Sequence, residues 1–222
     1  MKPWRPLLLA GALLGGALPA CAAESKPIIL KTVEAKENLI ASHPRAGELR
    51  HAYLGGGCFW CVEAVYRRVA GVVEVISGYA GGETPNPTYE QVVNGTTGHA
   101  EVVRITYDPE QVDYTALIDM FWKAHDPTTL NRQGNDVGPQ YRSIILYQSE
   151  EERETAVESR DQLNRSGLYN NPAVTEIIPL DTFYPAEDYH QTYYERNPRV
   201  PYNQFIIRPK IEKLGLERGN GE

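Results

Sequence analysis

The chain has 222 residues, 41% of them hydrophobic and 23% charged, which is ordinary globular composition and enough for one domain with a real core. Lys and Arg number 22 against 29 Asp and Glu, for a formal charge of -7, and no basic run is longer than Arg67-Arg68. That balance speaks against a nucleic-acid partner.

Residues 1–22 read as a targeting segment. Lys2 and Arg5 give a positive start, Leu7 to Leu18 an apolar run, and Ala20 and Ala22 an A-x-A cleavage site. The run is too short for a comfortable membrane span. Export to the periplasm is expected, with lipid anchoring through Cys21 as the alternative, because Leu18-Pro19-Ala20-Cys21 is similar to a lipoprotein box. Residues 23–50 are polar and broken by Pro27 and Pro44, and read as a linker with one short helix around Glu34 to Ala41.

From residue 51 to 200 the chain reads as one domain. Ala52 to Leu54 is a short strand feeding Gly55-Gly56-Gly57-Cys58-Phe59-Trp60-Cys61. A helix follows, with Val62, Val65, Tyr66 and Val69 on one face. Val72 to Tyr79 is a strand ending at Gly81-Gly82, and Pro85 and Pro87 force a loop over 84–88. Glu101 to Tyr107 alternates as a strand does. Leu117, Ile118, Phe121 and Trp122 make Tyr114 to His125 an amphipathic helix stopped by Asp126-Pro127. Arg142 to Gln148 is a strand, Glu150 to Asn164 a charged helix ended near Gly167, and Ala173 to Leu180 another strand. Ala186 to Arg196 is expected as a short helix, the chain after Pro198 as mostly irregular, and residues 201–222 as a C-terminal tail. Strands and helices alternate without a regular βαβ repeat, which gives an α+β fold with a mixed central sheet.

Two thiols three residues apart carry the chemistry. A cysteine at a helix start meets unsatisfied N–H groups and the positive end of the dipole, which favour thiolate. A structural zinc site needs four ligands, and the five histidines show no H-x3-5-H spacing. A disulfide closing so short a loop is a poor structural staple. Redox or nucleophilic chemistry is favoured, with no metal or cofactor.

The glycine-Cys-Phe-Trp run resembles the peptide methionine sulfoxide reductase A family. So do six later segments in family order: Gly78–Gly82, Pro85–Tyr89, Thr97–Glu101, Arg132–Gly138, Gln140–Ser143 and Phe183–Gln191. The resemblance implies a two-layer α+β domain with a ferredoxin-like core and reduction of methionine S-sulfoxide, free or in oxidised proteins. It implies Cys58 as the nucleophile and Glu101 as the proton donor. It also implies Tyr89 and Tyr141 at the sulfoxide oxygen, Phe59 and Trp60 around the substrate methyl, and Asp136 and His190 as supports. A solvated strand-end carboxylate is the bland reading of Glu101, core rings that of Phe59 and Trp60, and a capping or core histidine that of His190. Thioredoxin or a thioredoxin-like reductant is the implied partner of a monomeric enzyme.

Many members of the family have glycine where Cys61 stands and carry resolving cysteines in a C-terminal tail. Here Asn197 to Glu222 contains none, so Cys61 is the only thiol left to resolve an oxidised Cys58. Two other readings compete: a thioredoxin-type thiol–disulfide oxidoreductase, which leaves Glu101 and the tyrosines without a task, and a binding module that has lost activity.

Overall fold

A computed structural model describes residues 48–217. The leader, Cys21 and the helix expected around Glu34 to Ala41 lie outside them. In chain order the elements begin with β1 (Arg50–Gly56), α1 (Phe59–Tyr66), β2 (Val72–Ala80), α2 (Tyr89–Val93) and β3 (Ala100–Tyr107). Next come α3 (Tyr114–Ala124), a small hairpin of β4 (Arg132–Gln133) and β5 (Asp136–Val137), β6 (Ser143–Tyr147) and α4 (Glu150–Ser166). The last are β7 (Glu176–Pro179), β8 (Tyr184–Pro185), α5 (Tyr193–Arg196), a π turn over Asn203–Ile207, and α6 (Arg208–Lys213).

Six strands form one sheet in the order β7-β6-β1-β3-β2-β8. The β6–β7 pair is parallel and the others antiparallel, so the sheet is mixed. One face carries Ala52, Leu54, Val75, Tyr79, Val103 and Ile105 into a core with residues of α1, α3, α4 and α6. The other face, with Tyr53, Val102, Ile144 and Leu146, is covered by Ile178, Leu180 and Phe183 and, among the described residues, by no helix. This is a two-layer α+β arrangement, as expected. Cover on both faces buries both alternating sets of β3 side chains, with only Arg104 half-buried.

Local chemistry sets the helix ends. Asp113 accepts the Ala116 N–H at 2.7 Å to start α3, and Leu117, Ile118, Phe121 and Trp122 are its buried stripe. Ser149 caps α4, whose first turn holds Glu150, Glu151 and Glu152 against the positive end of the dipole. Gly167, at φ 70, ends it in the left-handed conformation that costs glycine nothing.

Two expectations need correction. Residues 186–196 are not one helix: a 3-10 turn (Asp188–His190) and α5 are separated by Thr192 at φ 52. The buried Glu63 carboxyl holds that kink by accepting the Thr192 N–H at 2.8 Å. The tail is helical rather than irregular from Asn203 to Lys213, with Asn203, Ile207 and Ile211 buried. The loop over 84–88 is as expected, and helix α2, which had no stated expectation, follows it directly, started by a capping box between Thr88 and Gln91. Among the described residues no helix is long and apolar enough to cross a membrane.

Candidate active site

Strand β1 delivers Cys58 through the glycine run. Gly57 sits at φ 96, and a Cβ there would lie 2.6 Å from Gln133 Cγ. At Gly55 a Cβ would lie 2.7 Å from the Glu101 carbonyl oxygen. Bare backbone therefore lets β3 press Glu101 against the start of α1. Cys58 is the N-cap of that helix, and its carbonyl accepts the Cys61 N–H at 3.0 Å.

Glu101 is 1% exposed, which removes the solvated strand-end reading. Its Oε2 accepts the Phe59 N–H at 2.9 Å. Burial pushes the carboxyl up to about 8, with Asp136 and Cys61 adding to the rise and the Phe59 N–H opposing it. At neutral pH the group holds its proton and can give it away.

Cys58 and Cys61 are both free, buried thiols. Burial pushes the Cys58 thiol well up, and the hydrogen bond with Cys61 and the Glu101 carboxyl push it further. The expectation of a resting Cys58 thiolate is therefore corrected. Cys58 is buried, and the first N–H of the helix start, that of Phe59, is spent on Glu101 rather than on the thiol. That same thiol–thiol bond lowers Cys61 to about 7, against the opposing effect of burial and with help from Lys210 and Tyr202.

Aromatic side chains stand beside the thiols. The Phe59 ring centroid is 6.1 Å from Trp60, 6.4 Å from Tyr89 and 5.0 Å from His190. Buried His190 accepts the Trp60 Nε1–H on Nδ1 at 3.2 Å and lies 4.3 Å from the Tyr89 ring, while Trp60 stacks on Tyr193 at 3.7 Å. Desolvation lowers His190, so it accepts that bond as a neutral ring. Helix α2 presents Tyr89, whose N–H is tied to Glu187 Oε1 at 2.9 Å. The 3-10 turn Pro139–Tyr141 presents Tyr141. Burial raises both phenols, and Glu101 and Cys58 lie near enough to raise both again whenever either is ionised.

Asp136 turns toward Cys61. It accepts the Tyr202 hydroxyl at 2.7 Å, and that hydroxyl is 3.5 Å from Cys61 Sγ. Sequence reasoning missed Tyr202, one of 14 tyrosines with no motif around it. A cavity of about 360 Å³ opens here, lined by Cys58, Cys61, residues 133–136, Tyr202, Ile206 and Lys210. Every residue named from the sequence at this site is thus within one cluster, with Asp136 on the Cys61 side of it. Among the described residues no group of three His, Cys, Asp or Glu is arranged to hold a metal ion.

A free thiol pair beside a protonated, buried carboxyl defines a cysteine-dependent oxidoreductase. A family model described as peptide methionine sulfoxide reductase matches residues 50–220. The chain is 58% identical to a peptide methionine sulfoxide reductase MsrA of Nautilia profundicola over 162 residues, 73% of this chain and 92% of the relative. An Acinetobacter baumannii protein of the same name is 56% identical over 166 residues, covering 75% of this chain and 94% of that one. Among solved structures, reduced Mxr1 of Saccharomyces cerevisiae superposes with a TM-score of 0.66 at 34% identity, covering 71% of this chain and 91% of that one. Methionine sulfoxide reductase A of Corynebacterium diphtheriae superposes with a TM-score of 0.62 at 38% identity, covering 71% of this chain and 81% of that one. The chain belongs to the peptide methionine sulfoxide reductase A family and is an oxidoreductase that reduces methionine sulfoxide.

Proposed function

We propose that Cys58 attacks the sulfoxide sulfur while Glu101 protonates the departing oxygen. The observation that carries this reading is the Glu101 carboxyl, neutral by burial and fastened at 2.9 Å to the backbone N–H next to Cys58. Cys58 passes its thiol proton to the Glu101 carboxylate as that group gives its own to the oxygen. The Cys58 sulfur bonds to the substrate sulfur as the S–O bond breaks, Glu101 giving the oxygen its second proton so that it leaves as water. A water molecule then bonds to Cys58 Sγ and returns a proton to Glu101 as the S–S bond breaks, releasing methionine and leaving Cys58 as Cys–S–OH. Tyr89 and Tyr141, kept neutral by burial, donate hydrogen bonds to the oxygen as negative charge develops there. Phe59 and Trp60 enclose the substrate methyl, and His190 fixes the indole by accepting its N–H.

Cys61 then closes a disulfide with Cys58, releasing water, and a thioredoxin-like reductant reopens it. The enzyme acts on the S epimer, free or within oxidised proteins, and repairs methionine under oxidative stress as a monomer. The leader supports export to the periplasm, with the mature chain beginning at Ala23, or at a lipidated Cys21 in the anchored form. Mass spectrometry of the native N-terminus tests this, and a retained Met1 contradicts both forms. For the activity, separated sulfoxide epimers are assayed with dithiothreitol. Turnover of the S epimer alone supports the reading, and turnover of the R epimer alone refutes it.

A further inference from the structure

The resolving step needs its own proton acceptor. In the resting pair the bond from Cys58 lowers Cys61, but once Cys58 has become a sulfenic acid that thiol proton is gone. Burial then works to keep the proton on Cys61 at the moment its sulfur must attack. The ionisable groups that face Cys61 are Cys58 on its own helix turn, Glu101 from β3, Asp136 from β5, Tyr202 just before the π turn and Lys210 from α6. Glu101 must supply a proton to the leaving hydroxide, and Lys210 carries no acceptor when charged. Tyr202 and Asp136 remain.

Their geometry suits a transfer. A phenol has one proton, and that of Tyr202 points at Asp136 Oδ2 at 2.7 Å. Its lone pairs are free to face Cys61 Sγ at 3.5 Å. The π turn that follows Tyr202 is pinned by buried Asn203, whose Nδ2 donates to the Asn197 carbonyl at 2.8 Å. Such turns occur disproportionately at functional positions. The ring is also set edge-on to Trp60, with centroids 6.0 Å apart. Asp136 lines the cavity, so a proton arriving there has a way out.

We propose that Tyr202 and Asp136 form the proton relay of the resolving step, Tyr202 taking the Cys61 thiol proton as it passes its own to the Asp136 carboxylate. The Cys61 sulfur then bonds to Cys58 Sγ while the Cys58 S–O bond breaks. The hydroxide takes a proton from Glu101 and leaves as water. Cys61 is oxidised, the sulfenic sulfur is reduced, and both electrons come from Cys61. Asp136 releases its proton through the cavity and Glu101 regains one from solvent. The relay rests on the reading of Cys61 as the resolving thiol.

The test is a single turnover of the full chain with one equivalent of methionine S-sulfoxide and no reductant. Methionine release and dimedone-trapped sulfenic acid are followed in the same quenched samples. In Tyr202→Phe, methionine release should keep the wild-type rate while decay of the sulfenic acid slows on the order of 10²-fold. The midpoint of decay against pH should also move upward, a change that a merely structural role would not produce. Asp136→Asn, which accepts the phenol but cannot take its proton, should slow decay in the same direction and carries the test if Tyr202→Phe does not fold. Wild-type decay in both variants overturns the relay. Equal slowing of release and decay in Tyr202→Phe also overturns it, because Tyr202 then acts on Cys58. If Cys61→Ser loses its sulfenic acid as fast as wild type, the reading of Cys61 itself fails instead.

Discussion

The Phe59 backbone N–H donates to Glu101 Oε2 at 2.9 Å, so the carboxyl is fastened to the helix turn that begins at Cys58. The acid on β3 and the thiol at the start of α1 are held as one unit across 42 residues of chain. Proximity of this kind does not depend on any contact between the two side chains themselves.

Glu101→Gln preserves the acceptor for that N–H and removes the acid. The rate of methionine release should fall on the order of 10²–10⁴-fold, the usual contribution of general acid–base catalysis. In the wild type the acid form prevails up to about pH 8, so the rate should decline as the pH rises through that value. Stopped-flow pH profiles check this, and the alkaline decline should be missing in the variant.

The same substitution should stabilise the fold. In the unfolded chain Glu101 ionises near its ordinary value of 4.5, whereas burial keeps it protonated to about 8. The native state therefore binds the extra proton, and stability is lost as the pH rises between these two values, by about 1.4 kcal/mol per unit at most. Thermal melts at pH 5 and pH 8 should show the variant gaining on wild type as the pH increases. A constant difference would mean that the carboxyl is not buried neutral.

Glu63 is a second buried carboxyl, raised to about 7 by desolvation, and its task is architectural. It accepts the Thr192 N–H at 2.8 Å and the Ser77 hydroxyl at 3.3 Å. Glu63→Ala leaves those donors without partners and should cost about 1–3 kcal/mol. Because Thr192 sets the kink after His190, which in turn holds Trp60, KM should rise as well. Glu63→Gln retains an acceptor and should lose less on both counts, as denaturant melts and steady-state kinetics would measure.

Cys58→Ser should abolish turnover and leave substrate binding intact, since the aromatic side chains beside it are untouched. Calorimetry with methionine sulfoxide and an activity assay on the same sample test both halves.

Much of this site was legible because it is written in short-range signals. The glycine run announced Cys58, the stripe of Leu117, Ile118, Phe121 and Trp122 announced α3, and Gly167 marked the end of α4. Helix α2 also had a readable signal, Thr88-x-x-Gln91, overshadowed by Pro85 and Pro87. The tail was harder to read. Positions 203, 207 and 211 repeat at helical spacing, but one of them is Asn and Pro209 interrupts the segment. Tyr202 gains its meaning only when residues 66 positions apart meet, as it does with Asp136. The protonation of Cys58 is hidden for a related reason: the helix start is local, while the burial and the Glu101 carboxyl that hold the proton on are tertiary.

The most direct test of the account is the fate of the two thiols after one turnover without reductant. Intact protein is treated with methionine S-sulfoxide, alkylated, digested and analysed by mass spectrometry. Both titratable thiols should be lost, and a peptide linked through Cys58 and Cys61 should appear. A stable Cys58 sulfenic acid beside an alkylated Cys61, with normal methionine release, would contradict the account.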